Sequence, residues 1–200
     1  MEDPAGRPDE TVPSPVGHML GGIAAGWLVA GRAGSPLDRP PAARGWLPGW
    51  VPPWWRQAAL LGGVGAAPDL DLLAGTHSTY THSVGAVALA FVVALLWTRA
   101  PRLAGAAGAA WGSHILLDWL GRDTTPPIGI MALWPFTDAY YQSPFFVFMA
   151  ISRRYWQPGF LAHNTLAALR EVLILLPIAA LVGWRRPARA PERRRQHPVA

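Results

Sequence analysis

This chain has no cysteine and no lysine. Without cysteine there are no disulfides, thiolate metal sites or cysteine nucleophiles, so a bound zinc must take histidine and carboxylate ligands. Without lysine every fixed positive side-chain charge is an arginine, which reflects genomic base composition rather than function. Charge of either sign is scarce: 14% of residues are charged and 51% are hydrophobic, unlike an average soluble domain. A basic leader is missing too. The first residues, MEDPAGRPDETVPSP, are acidic and proline-rich, so no cleaved signal peptide is expected.

Glycine and proline, 21 each, and tryptophan, 11, are plentiful. Two hundred residues suggest one domain. Apolar segments lie at 17–31, 54–67, 83–98, 103–120 and 161–184. A full span needs about 20 apolar residues. The fourth and fifth segments meet that length, the third is borderline, and the first two are short. Glycine and alanine recur through segments one, two and four, as close helix packing in lipid requires. In a soluble helix each such glycine costs about 1 kcal/mol relative to alanine. Trp27, Trp97 and Trp184 end three segments, and Trp54, Trp55 and Trp119 mark two other ends, as an interfacial belt would. These features predict an all-α fold, a polytopic membrane helical bundle of about five apolar helices. A soluble helical bundle is the competing reading. The expected organisation is a disordered acidic N-terminus over 1–16, a membrane-embedded domain over 17–184 and a disordered basic tail over 185–200.

The net charge of +5 is unevenly spread. Six arginines between Arg185 and Arg195 follow the last apolar segment. That position suggests a cytoplasmic anchor on anionic lipid rather than a nucleic-acid site. If the segments alternate across a membrane with this tail inside, most arginines fall inside, as the positive-inside rule expects. The expected location is a multi-pass cell (inner) membrane protein, with the bilayer as partner and no nucleic acid. The same alternation places His18, Asp69, Asp71, His82, His114 and Asp118 together on the outer side, at one helix mouth. Residues 121–160 form an outer loop, and its stretch 144–151 is too short to span.

Histidine and aspartate at the ends of apolar helices are costly unless a metal or a reaction uses them. His114 and Asp118 are four apart in SHILLD, so they share one helix face; a structural His–Asp hydrogen bond is the alternative. Asp69 and Asp71 follow Pro68 in a loop, where either points inward or caps a helix. His77 and His82 are five apart in HSTYTHS, so the intervening STYT must turn to bring them together. Thr81 and Ser83 suit a helix N-cap around His82. His18 alone reads as structural. His163 is a spare candidate, and His197 is a solvated tail residue. Together the pieces exceed what one zinc usually takes, so either two or three divalent ions bind or some members orient the others. Such a site suggests hydrolysis by metal-activated water, with Asp69 or Asp71 taking the proton.

The motifs GH, PDLD, H-x4-H ending in THS, and SHILLD followed by LWPF resemble the YdjM-like family of membrane-bound, predicted metal-dependent hydrolases. The resemblance covers about 17–136 and implies metal ligands at His18, Asp69, Asp71, His77, His82, His114 and Asp118. The chain departs from it at Ser78, where members often carry a basic residue, and at Leu72, where they often carry histidine. A looser similarity, in ligand order only, links the pattern to zinc-dependent bacterial phospholipase C and single-strand-specific nucleases, and implies phosphoester hydrolysis. The expected function is a membrane-bound metal-dependent hydrolase acting on a phosphoester or another small-molecule or lipid-like substrate. A non-catalytic membrane metal-binding or transport protein is the alternative. A soluble protein that binds DNA or membrane surfaces through the arginine tail is a third reading.

Overall fold

The structure, a computed structural model, describes residues 10–11, 13–31, 52–74, 77–124 and 126–184. Arg32, Arg39, Arg44 and the arginine tail lie outside the described residues. Each of the five apolar segments forms a helix: α1 (Pro15–Ala30), α2 (Pro53–Ala66), α3 (Val84–Thr98), α4 (Pro101–Leu120) and α5 (Phe160–Trp184). Three of them begin with proline at the first or second helical position, where its missing N–H is no loss. Ser14 and Ser83 cap α1 and α3 by accepting from Gly17 N and Ala86 N. The ordered chain starts before residue 17, because Glu10–Thr11 (β1) pairs antiparallel with Ile151–Ser152 (β2).

Helix α1 packs against α2, α4 and α5, and α4 packs against α1, α2 and α3. Small residues allow the closest approach. A Cβ added at Gly22 would stand 2.8 Å from Gly65 Cα, and one added at Gly65 would stand 2.6 Å from the His18 carbonyl oxygen. The α1–α2 crossing is therefore backbone against backbone, as small-residue motifs permit. Trp27, Ala30, Ala58, Leu61, Ala106 and Ala110 form a core where α1, α2 and α4 meet. Leu117, Phe148 and Leu175 form a second core between α4, the loop after it and α5.

The outer surface is apolar. Helix α3 has no buried residue, and Leu89, Val92, Val93 and Leu96 are exposed on it. Leu161, Leu166, Leu169, Leu173, Leu176 and Leu181 are exposed on α5. Apolar surface of that extent marks contact with a membrane or a partner.

Two expectations need correction. Among the described residues α5 alone combines the length and hydropathy of a membrane span. Helix α4 has the length, 20 residues, but its glycines, alanines, His114 and Asp118 dilute its apolar character. Trp27 is buried in the core rather than placed in an interfacial belt, whereas Trp55, Trp97 and Trp184 are exposed.

A candidate metal centre

The helices alternate in direction, so the start of α1, the end of α2, the start of α3 and the end of α4 meet at one end of the bundle. There the structure brings together all seven residues expected from sequence. His18, His82, His114 and Asp118 are almost wholly buried. Asp69, Asp71 and His77 form the rim, with Asp69 and His77 side chains 17% and 15% exposed. His163 is elsewhere and hydrogen-bonds the Ala150 carbonyl.

Local backbone explains how the short motifs reach inward. Residues Ala67–Ala74 are not a loop but a 3-10 helix. Pro68 has no N–H for the α-helical ladder, and the chain tightens there. Asp69 then faces the centre and Asp71 turns toward His77. Between His77 and His82, Ser78 adopts a left-handed conformation at φ 61°, followed by a 3-10 turn over Tyr80–His82. That pair of turns brings the two imidazole centroids to 4.9 Å. The loop after α4 braces this segment: Met131 N donates to Ser78 O, and Val84 N and Gly85 N donate to Ala132 O and Trp134 O.

Asp118 lies among three imidazoles. Its oxygens stand 3.1 Å from His114 Nε2, 3.3 Å from His82 Nε2 and 3.2 Å from His18 Nε2. Neither oxygen makes a hydrogen bond, nor does either His18 nitrogen. Asp69 stands 3.5 Å from His114 Nε2, 3.6 Å from His82 Nε2 and 3.9 Å from His18 Nε2. Two ligands on one tetrahedral zinc lie about 3.3 Å apart, given metal–ligand bonds near 2.0–2.1 Å. The observed separations bracket that value.

Proton placement points the same way. His114 Nδ1 is 2.8 Å from the Gly65 carbonyl, which only accepts. Nδ1 therefore carries hydrogen, and Nε2 of the neutral ring presents a lone pair. His82 Nδ1 lies 2.9 Å from Thr81 Oγ1, whose own hydrogen goes to Asp71 Oδ2, and 3.2 Å from Asp71 Oδ2, so its Nε2 is likewise the free nitrogen. These two Nε2 atoms face each other at 3.0 Å. Two lone pairs at that distance require a cation or a proton between them. Three groups of ligand atoms lie within 4.8 Å of one another: His18–Asp69–His114, Asp69–His77–His82 and His82–His114–Asp118. An imidazole lone pair serves one ion and a carboxylate serves two, so Asp69 and Asp118 are the residues able to bridge. The unpartnered atoms and the nitrogen- and oxygen-rich set fit a divalent cation.

Asp71 has a different role. It accepts from Thr81 Oγ1 at 2.8 Å and lies 3.1 Å from His77 Nδ1, besides contacting His82. A carboxylate so engaged holds His77, Thr81 and His82 in place around it. Burial works to raise the Asp71 pKa, but hydrogen bonds from His82, His77 and Thr81 outweigh it and lower it. Burial works to lower the His82 pKa, but Asp69, Asp71 and Asp118 outweigh it and raise it. Burial dominates at the His77 imidazole and lowers its pKa. The carboxylates that hold a proton on His82 would also attract a divalent cation, which competes with that proton for the same nitrogen.

Sequence reasoning did not single out several supporting groups. The Gly65 carbonyl sets the His114 tautomer, which no side-chain motif announces. Thr81, expected with Ser83 as a helix cap, instead serves Asp71, and Ser83 caps α3. Trp111 Nε1 donates to the Thr81 carbonyl at 2.9 Å. Glu171, wholly buried on α5, accepts from Ser14 N at 2.8 Å and from the Ser14 hydroxyl. It thereby anchors the first turn of α1, which carries His18. A lone Glu in an apolar helix was the available signal.

Fold and centre define a class: a small helical protein with a buried His/Asp cluster, fit to hold a cation, at one end of its bundle. The chain belongs to the YdjM inner membrane protein family, whose model matches residues 14–190. No curated protein and no solved structure matches it.

Proposed function

We propose that this protein is a membrane-bound metal-dependent hydrolase acting on a phosphoester, with two or three zinc-like ions. The observation that carries the reading is the opposed pair of Nε2 lone pairs on His82 and His114 beside the unpartnered Asp118 carboxylate. His18, His82, His114, Asp69 and Asp118 would hold the ions. Bound divalent cations supply Lewis acidity and lower the pKa of water toward neutrality. The protein's own contribution is orientation. Asp71 and Thr81 fix His82, Gly65 O fixes His114, and Asp69 remains at the rim, nearest to an incoming substrate. The pKa of Asp69 is lowered: burial raises it, but hydrogen bonds to His114 and His82 and nearby positive charge outweigh that. It therefore stays ionised and would serve as a metal ligand at the rim. In the reaction, water adds its oxygen to phosphorus, the ester P–O bond breaks, and the departing alcohol takes up a proton.

The arginine distribution supports a site on the outer face with the basic tail in the cytoplasm. The ligands cluster at one mouth rather than along the bundle axis, which favours an enzyme over a transporter. The test is metal analysis and phosphodiesterase turnover of detergent-purified protein, with His114→Ala and Asp118→Ala alongside. Zinc binding and turnover that both variants abolish are expected. Metal-free wild type, or turnover unchanged in both variants, would overturn the reading.

A further inference from the structure

Helices α2 and α3 both pack on α4, leaving between them a cavity of about 250 Å³. Leu61, Val64, Ala90, Ala94, Ala107 and Trp111 are among its lining residues. The lining is apolar apart from Thr98, whose hydroxyl is taken up by the Ala94 carbonyl at 2.6 Å. Small residues on α4 and α3 create the space, since Ala90, Ala94 and Ala107 fill little of it. Its lining follows α3 from Ala90 to Thr98 and α4 from Leu103 to Trp111. Leu103 and Trp97 line its far end, and Val64 and Trp111 line the end nearer the His/Asp centre. From Leu103 to Trp111 the helical rise is about 12 Å.

The near end adjoins the centre through shared structure. Val64 precedes Gly65, whose carbonyl holds His114. Trp111 lies three residues before His114 and donates to the carbonyl of Thr81, the neighbour of His82. A polar, cation-fit cluster therefore stands at one end of an apolar groove whose lining runs along the helices. Helix α3 lines the groove through Ala90, Ala94 and Trp97, and its Leu89, Val92, Val93 and Leu96 form part of the apolar outer surface.

We propose that this groove binds one acyl chain of a membrane phospholipid whose phosphate lies at the His/Asp centre. The proposal deepens, and for turnover rests on, the reading of the site as a phosphoester hydrolase; it names the substrate class as a long-chain phosphoester lipid. The shape matches the ligand. A lipid in a bilayer carries its anionic group at the surface and its chain along the membrane normal, parallel to the helices. The groove presents no free polar group to a soluble substrate. It is too small for a partner helix, which is about 10–12 Å across with its side chains.

The test uses full-length, zinc-loaded protein in mixed micelles with a phospholipid carrying a diazirine in mid-chain. Ala94→Phe and Ala107→Phe fill the groove, and neither residue belongs to the metal centre. Photolabelling of the wild type is expected at Ala90, Ala94 and Trp111. Because filling displaces several methylenes, labelling and turnover of that phospholipid should each fall about tenfold or more. Turnover of the water-soluble bis(p-nitrophenyl) phosphate and zinc content should stay within about twofold. A smaller filling, Ala90→Leu, guards against misfolding, and a zinc-loaded Ala90→Leu protein should show the same selective loss. The proposal is overturned if the groove is not labelled, if all fillings leave labelling unchanged, or if a diazirine fatty alcohol without phosphate labels equally. Groove labelling that the fillings abolish, in a wild type that turns over neither substrate, would sink the hydrolase reading and leave the chain site standing.

Discussion

The two halves of the His/Asp cluster differ in kind. The inner half, His18, His82, His114 and Asp118, is buried on the ends of two long helices, α1 and α4, and on the turn before α3. Its carboxylate and the His18 ring have no hydrogen-bond partner. The rim, Asp69, Asp71 and His77, sits on a 3-10 helix and a tight turn, and Asp71 there is engaged by three neighbours. Buried polar groups without partners are unstable unless something supplies the missing contacts. The inner half could thus hold a cation, and at the rim Asp71 holds His77 and Thr81 beside it.

The sharpest test of that contrast is Asp118→Ala. It removes the carboxylate shared by three imidazoles, and zinc affinity is expected to fall by about 10²- to 10³-fold or more, since breaking a buried charge set costs about 3–5 kcal/mol. Calorimetric titration would measure it, and affinity within tenfold of wild type would contradict the assignment. The α1–α2 crossing comes next. Gly65→Val drives a Cβ toward the His18 carbonyl, and overpacking of this kind destabilises by about 1–3 kcal/mol. Thermal unfolding in detergent should show the loss, and an unchanged midpoint would mean the helices do not approach so closely. Asp71→Ala removes an orienting group rather than a ligand, so metal affinity should fall only about 10–100-fold. A loss as large as that of Asp118→Ala would make Asp71 a ligand and erase the distinction. His77→Ala, at the rim, should be mildest, with affinity reduced less than about tenfold in the same titration.

Proton linkage sharpens the same comparison. The raised pKa of His82 means that a proton occupies the metal-binding nitrogen of the metal-free protein above the usual histidine range. Metal must displace that proton. Affinity should rise with pH through the ordinary histidine range and level off only above the raised pKa. Proton release measured in buffers of different ionisation enthalpy would check it, and binding without release would refute it.

Much of the helix inventory was legible. The apolar runs and the Ser83 cap are local signals, and each run became a helix within a few residues of its expected bounds. The His114–Asp118 pair was legible because four-residue spacing sets a shared face within one helix. The PDLD segment was misread as a loop because a proline that stops an α-helix also permits a 3-10 helix. Trp27 was misplaced because tryptophan ends helices both at membrane surfaces and in cores, and only neighbours distinguish the two. Glu171 was passed over because its partner Ser14 is 157 residues away.

By itself the sequence determined the five helices, their alternating order and the chemistry of the ligand set, since these depend on short-range periodicity and residue type. Only the tertiary structure decided that the seven residues converge, which nitrogen of His114 and His82 is free, and that Asp71 orients others. Those properties depend on contacts between distant segments: the Gly65 carbonyl against α4, Gly22 against Gly65, and Glu171 against the start of α1. A linear pattern carries no record of which backbone carbonyl meets which imidazole.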